Sequence, residues 1–176
     1  DQIAGFKVIS IGSHAFKGVE SISKIIFPES LIEISAGGVA DCRNLNEISL
    51  PSSLKYIKKH AFGWAAIKSI NISKNVTEIE FPIFHGCNNL SKINVELLNP
   101  SYKSDKDVIY DKKMEALLCL PPGYKLDSFR VPKSVKKIGG SAILAKNLKR
   151  IYIPKETHID PEAFKLADPN IMKIIR

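Results

Sequence analysis

Four histidines, three cysteines and several close pairs of charges are the residues with which this chain of 176 residues could do chemistry. The histidines are His14, His60, His85 and His158. No spacing of histidine, cysteine and carboxylate among them matches a zinc site, so neither a metal nor a cofactor is expected. His14 and His60 each stand two residues before a phenylalanine, Phe16 and Phe62. That shared slot gives them a structural explanation at the surface. The cysteines are Cys42, Cys87 and Cys119, an odd number that cannot pair fully within one chain. Cys42 precedes Leu45 by three residues and Cys87 precedes Leu90 by three, the slot that Val19 fills elsewhere. They read as small buried thiols. Two coils of a stacked repeat would hold them roughly 10 Å apart, too far for a disulfide. Glu78 and Glu80 flank Ile79 and face solvent, since catalytic carboxyls need sheltered sites. The glycine pairs Gly37, Gly38 and Gly139, Gly140 lack the lysine and spacing of a phosphate loop and read as tight turns with positive φ. No nucleophile elbow is present. No catalytic set is nominated, and the chain is not expected to be an enzyme.

Net charge is +8, yet the cations come as dispersed pairs, such as Lys58 with Lys59, Lys112 with Lys113, Lys136 with Lys137 and Lys149 with Arg150. That is an ordinary solvated surface, without the stripe of a nucleic-acid binder, and no nucleic-acid partner is expected. An apolar fraction of 44% supports a continuous core. No apolar run is long enough to span a membrane. Residues 1–6 have neither the basic start nor the apolar run of a secretion signal, and the repeat begins abruptly at Val8. The expectation is a piece of a longer protein.

A repeat organises everything else. Ile25, Ile48, Ile70 and Ile93 recur every 22–23 residues; after a gap of 36 the series resumes as Phe129, Ile151 and Ile174. A second series runs Ile11, Ile34, Ile57, Ile79, Ile138 and Ile159. The period lies within the range of about 20–29 residues of leucine-rich repeats. Each unit has three segments. An apolar residue, two variable ones, isoleucine, a variable one, an apolar one and proline, as in residues 22–28, predict a strand that proline ends. A Leu/Val-x-x-Ile piece, as in residues 31–34, predicts a second short extended segment. Ala-Phe-x-Gly, as in residues 15–18, predicts a turn of helix or 3₁₀ helix closing the coil. One unit cannot bury enough to offset its own ordering, so such units stack. The gap, about residues 99–125, predicts an expanded coil whose β-hairpin projects from the stack or lies across its edge. The same repeat on both sides predicts one domain over residues 1–176, with about six repeats.

Six registered units carry a family resemblance. Ile-x-x-x-Ala-Phe-x-Gly, then Gly86, Cys87, Asn88, Asn89 and Leu90, then Ile-x-Leu-Pro-x-Ser-Leu-x-x-Ile resemble the BspA-type leucine-rich repeat. The insertion resembles a variant coil of that family. It has an Asn-Pro-x-Tyr start at Asn99, a hairpin through Val108, Ile109, Tyr110 and Asp111, and an exit through Pro121, Pro122 and Gly123. The likeness covers residues 8–174. It implies a right-handed leucine-rich repeat solenoid with short parallel strands on a concave face. The convex side carries short helical or 3₁₀ turns, or short strands. It implies an extracellular or cell-surface location and adhesion to a protein partner such as an extracellular-matrix or host-surface protein, fibronectin and fibrinogen among them. It carries no catalytic residues. The Ala-Phe pair is eroded to Gly38-Val39 and Ala142-Ile143, which affects local packing alone.

Binding is therefore sought on the outward positions of the first strand, which alternate with core positions. The residue before the core apolar one forms the column Lys24, Glu47, Ser69, Lys92, Ser128, Arg150. The residue after it forms the column Ile26, Ser49, Asn71, Asn94, Arg130, Tyr152. These are the candidate contact residues of the concave face. The hairpin, with Tyr102 and Tyr110, is a second candidate. Trp64 stands in a unit one residue short and is expected to fill the resulting gap; exposed, it becomes an anchor for a partner. A carbohydrate or cell-wall polymer is the alternative ligand, with Tyr152 and Trp64 as its aromatic contacts.

Overall fold

The computed structural model describes residues 2–3 and 6–176. The first apolar segment of each unit forms one wall of a β-solenoid. Lys24–Ile26 pairs in parallel with Glu47–Ser49, and Ser69–Ile72 with Lys92–Val95. Ser128–Arg130 pairs with Arg150–Ile153, which pairs with Met172–Ile175. The second segment forms another wall. Ser10–Ile11, Glu33–Ile34, Tyr56–Ile57 and Glu78–Ile79 make a four-stranded parallel sheet, and Lys137–Ile138 beside His158–Ile159 resumes the pattern. Parallel register puts equivalent residues in rows, Ile70 opposite Ile93 and Ile34 opposite Ile57, so each isoleucine stacks on its copy in the core. The repeated serine also has its reason. The Ser30 hydroxyl donates to the Val8 carbonyl and Ser53 to Leu31, both at 2.7 Å, tying each bend to the coil before it.

The third side differs from expectation. The Ala-Phe segments are neither α nor 3₁₀ helix; they are turns stacked into a ladder. Left-handed backbone recurs in two slots, at His14, Gly37 and His60, and again at Gly18, Asp41, Trp64 and Gly86. Left-handed residues break a helix, so alternate N–H groups point along the stack. The Phe16 N–H donates to Gly38, Val39 to Ala61 and Phe62 to Ile83, at 2.8 to 3.2 Å. Of the two glycine pairs, Gly37 alone has positive φ; in the other, the left-handed residue is the neighbouring Ser141. Where the cysteine slot meets this ladder, the Cys42 and Cys87 thiols donate to the Phe16 and Phe62 carbonyls at 3.0 and 2.9 Å. All three cysteines are free and buried. Burial pushes the Cys87 thiol up to about 12, out of reach of thiolate chemistry.

The expanded coil neither projects nor lies across an edge. Tyr102–Asp105, Val108–Asp111 and Ala116–Cys119 form an antiparallel meander whose last strand pairs in parallel with Lys137–Ile138. The hairpin is thus built into the stack. Tyr110 is 1% exposed and belongs to the core. The Tyr102 hydroxyl accepts the Ile79 N–H at 2.8 Å, and its ring meets Phe81 edge-on. Asn99 starts the coil fully buried. Its amide donates to the Ser73 and Val76 carbonyls, and its side-chain oxygen accepts from the N–H groups of Ser101 and Tyr102, all within 2.9 Å.

Two further rows depart from expectation. Ile174 pairs with Tyr152, while Lys173 lies opposite Ile151, one residue out of the expected register. Phe16 departs from its own row, 37% exposed where its copy Phe62 is fully buried, because no described coil stacks on the outer side of its own.

Candidate functional site

The outward columns of the first wall are in register, but the wall is broken into three blocks. Its strands form three separate sheets, with a break on each side of the pair Ser69–Ile72 and Lys92–Val95. In the first block Lys24 and Glu47 form an ion pair at 2.9 Å, and Ile26 stands beside Ser49. Ile26 is 77% exposed, an isoleucine displayed to solvent on a hydrogen-bonded strand. The second block is polar. Ser69 and Lys92 are opposite each other and exposed, and the Asn94 amide donates to the Asn71 side-chain oxygen. In the third block Ser128 lies opposite Arg150, which pairs with Asp127 at 3.3 Å. Arg130 lies opposite Tyr152, its guanidinium 4.2 Å from the ring centroid. A second guanidinium, that of Arg176, lies 4.8 Å from the same centroid.

The hairpin separates the second and third blocks. Its turn, Lys106 and Asp107, has left-handed backbone at both residues. One side of the turn shares a groove with Lys92 and Leu126, and the other side a groove with Arg130 and Tyr152. The sequence therefore found the columns but not the interruption. It also missed Arg176, because the one-residue slip of the last strand hid its place beside Tyr152. Leu97 and Leu98, 85% and 75% exposed after Lys92–Val95, were missed as well. Their signal was a pair of leucines outside the repeat register.

Of the hairpin candidates, Tyr110 has no surface to offer and is withdrawn, and Tyr102 is half-buried with its hydroxyl engaged. Trp64 does not fill a gap. It is 43% exposed, its ring edge-on to His85 at 4.6 Å and over Gly86 on the turn ladder. His60 completes this cluster, 6.5 Å from Trp64 and 6.0 Å from His85 between ring centroids. Burial holds both histidines below their ordinary value, helped by Lys59 at His60 and by His60 and Lys146 at His85. Glu78 and Glu80 both bond Lys58, at 2.6 and 2.9 Å; these bonds raise the lysine and lower Glu80. Among the described residues, no group of three His, Cys, Asp or Glu can hold a metal ion, and no helix is long and apolar enough to cross a membrane.

The profile of the BspA type leucine-rich repeat region matches in six copies over residues 4–105 and 122–170. The chain belongs to the BspA-type leucine-rich repeat family. The BspA-type profile skips residues 106–121, which carry the second and third strands of the built-in meander. Solved structures agree with this fold. A leucine rich cell surface protein of Faecalibacterium prausnitzii A2-165 superposes with a TM-score of 0.77 at 25% identity, over 93% of this chain and 44% of that one. A leucine-rich repeat protein of Eubacterium ventriosum gives 0.67 at 21%, over 95% of this chain and 53% of that one. The pneumococcal vaccine antigen PcpA gives 0.70 at 22%, over 88% and 36%. The chain therefore spans about half the length of these relatives or less. No curated protein sequence matches it. In the BspA-type frame the core rows and the half-buried serines build the coil, and the outward columns face solvent.

Proposed function

We propose that this chain is a non-catalytic protein-binding module displayed at the cell surface, contacting a host or matrix protein through the outward columns of its first wall. One observation carries the proposal. Ile26, Asn71, Asn94, Arg130 and Arg150 are exposed side chains of mixed chemistry, held on hydrogen-bonded strands whose register fixes their spacing. A rigid display loses little freedom on binding, so its contacts convert efficiently into affinity. A surface-protein relative of the same fold supports the location. A carbohydrate or cell-wall polymer needs an open aromatic face. Tyr152 has two guanidiniums against its ring and Trp64 lies against His85, which favours a protein ligand.

The test is saturable binding to immobilised fibronectin, fibrinogen and other matrix proteins. A partner found this way should lose about tenfold in affinity, worth about 1.4 kcal/mol, on Ile26→Asp or Arg150→Glu. Absence of saturable binding to any protein surface, or affinities untouched by both variants, would refute the proposal.

A further inference from the structure

Among the described residues, six of the 26 lysine and arginine side chains form ion pairs with carboxylates. Lys24 has Glu47, Lys58 has Glu78 and Glu80, Lys136 has Glu115 and Arg150 has Asp127. Arg130 and Arg176 are not among these pairs and are held in another way. Among the described residues neither guanidinium has a carboxylate within ion-pair distance. Both instead lie against the ring of Tyr152, at 4.2 and 4.8 Å from its centroid. Stacking on an aromatic face holds a guanidinium in place while leaving its N–H edges free to donate.

These two side chains line one groove of about 570 Å³. The buried side chains of Val131 and Ile153 and the exposed ones of Lys106 and Lys133 also line it. Asp105 is the single acidic side chain among the lining residues, against four basic ones. The groove therefore combines apolar lining, two pre-positioned forked donors and a surplus of positive charge. Forked donors of this kind match carboxylates with two parallel hydrogen bonds.

The spacing narrows the ligand. Arg130, Tyr152 and the strand leading to Arg176 lie on successive coils. Strand neighbours are about 4.8 Å apart, so the two arginines arise from strands roughly 10 Å apart. In an extended peptide, residues i and i+2 face the same way at about 6.8 Å, a separation that flexible arginine and glutamate side chains bridge. A track of phosphates or sulfates would need free cations along the whole wall. The first block instead pairs its lysine with Glu47, and the second offers Lys92 alone, its Asn71 and Asn94 side chains bonding each other.

Resting on the protein-binding proposal and naming its partner's chemistry, we infer that the groove at Arg130, Tyr152 and Arg176 receives the alternating carboxylates of an extended acidic segment of a protein. The probe is a fluorescein-labelled peptide of alternating glutamate and glycine, followed by fluorescence anisotropy on the full chain. A glutamine-for-glutamate peptide, heparin and single-stranded DNA run in parallel. The acidic peptide should bind saturably and weaken as salt is raised. Arg130→Ala and Arg176→Ala should each weaken it at least fivefold, and Lys17→Ala, exposed on the turn ladder and outside the outward columns, should leave it unchanged. Circular dichroism confirms that these surface variants fold. Equal binding by Arg130→Ala, equal binding of the glutamine peptide, or capture of heparin or DNA without the peptide overturns the inference. A matrix partner that responds to Ile26→Asp but not to Arg130→Ala, with no capture of the acidic peptide, removes this inference while the protein-binding proposal stands.

Discussion

The Nδ1 atom of His60 is buried and has no hydrogen-bond partner. Its ring sits beside Trp64 and His85 on the turn ladder, with left-handed backbone at φ 58°. Histidine tolerates that backbone better than most residues do, which suits it to the slot. Protonating Nδ1 would add a buried donor with nothing to receive it, beside Lys59 and near a second imidazole. Burial depresses both histidines below the ordinary 6.5 in the folded chain. The unfolded chain therefore takes up protons at a higher pH than the folded one. The stability these neutral rings allow is complete above the unfolded value and is lost as pH falls below it. Thermal unfolding should show a lower midpoint at about pH 5.5 than at about pH 7.5. A His60→Phe, His85→Phe double variant should flatten that difference; the same slope in the double variant would exclude the cluster as its source.

At the scale of elements, the meander is closed by Asp111. One side-chain oxygen of Asp111 accepts the N–H groups of both Glu115 and Ala116, at 2.7 and 2.8 Å, across a turn in which Met114 is left-handed at φ 57°. Asp111→Ala strands both donors and should cost about 1–2 kcal/mol in urea denaturation, with Asp111→Asn recovering part of it. Unchanged stability in the alanine variant would mean that water satisfies the turn. Elements of this chain were unequally legible in its sequence. The strands were plain, because rows such as Ile34, Ile57 and Ile79 obey a fixed spacing and proline marks their ends. The built-in hairpin had a signal that was passed over. Val108, Ile109 and Tyr110, and again Leu117, Cys119 and Leu120, are near-continuous apolar runs, the mark of strands covered on both faces. The turn ladder had almost none. Glycine, histidine and aspartate in these slots tolerate left-handed backbone, but Trp64 adopts it while its N–H bonds the next coil, and its side-chain type does not encode it. The outward columns were legible as positions. Their division by the hairpin and the slip that brings Arg176 to Tyr152 were not, since both depend on pairing between distant segments.

For the whole molecule, that hairpin decides how the stack holds together. The core falls into two apolar clusters, one from Ile11 to the expanded coil with Leu144 added from beyond it, and one from the expanded coil to Ile171. The hairpin feeds both. Ile109 and Cys119 pack into the first cluster, and Val108, Tyr110, Leu117 and Leu120 into the second. A solenoid unfolds as a unit only while neighbouring coils are strongly coupled, and here one double-faced wall carries the coupling between halves. Tyr110 is the largest side chain on its second face and is 1% exposed. Tyr110→Ala should open a cavity and cost about 3–5 kcal/mol, as truncation of a buried aromatic does. The loss falls on one side of the wall. Trp64 is the single tryptophan and lies in the first half, so its fluorescence reports that half, while far-UV circular dichroism reports both. In the unaltered chain the two urea transitions should coincide. In Tyr110→Ala the circular dichroism change should begin at lower urea than the Trp64 change, because the second half gives way first. Tyr110→Phe, which keeps the ring, should restore coincidence. Coincident transitions in the alanine variant would mean that coupling between halves runs through the turn ladder and the strand walls rather than through this hairpin.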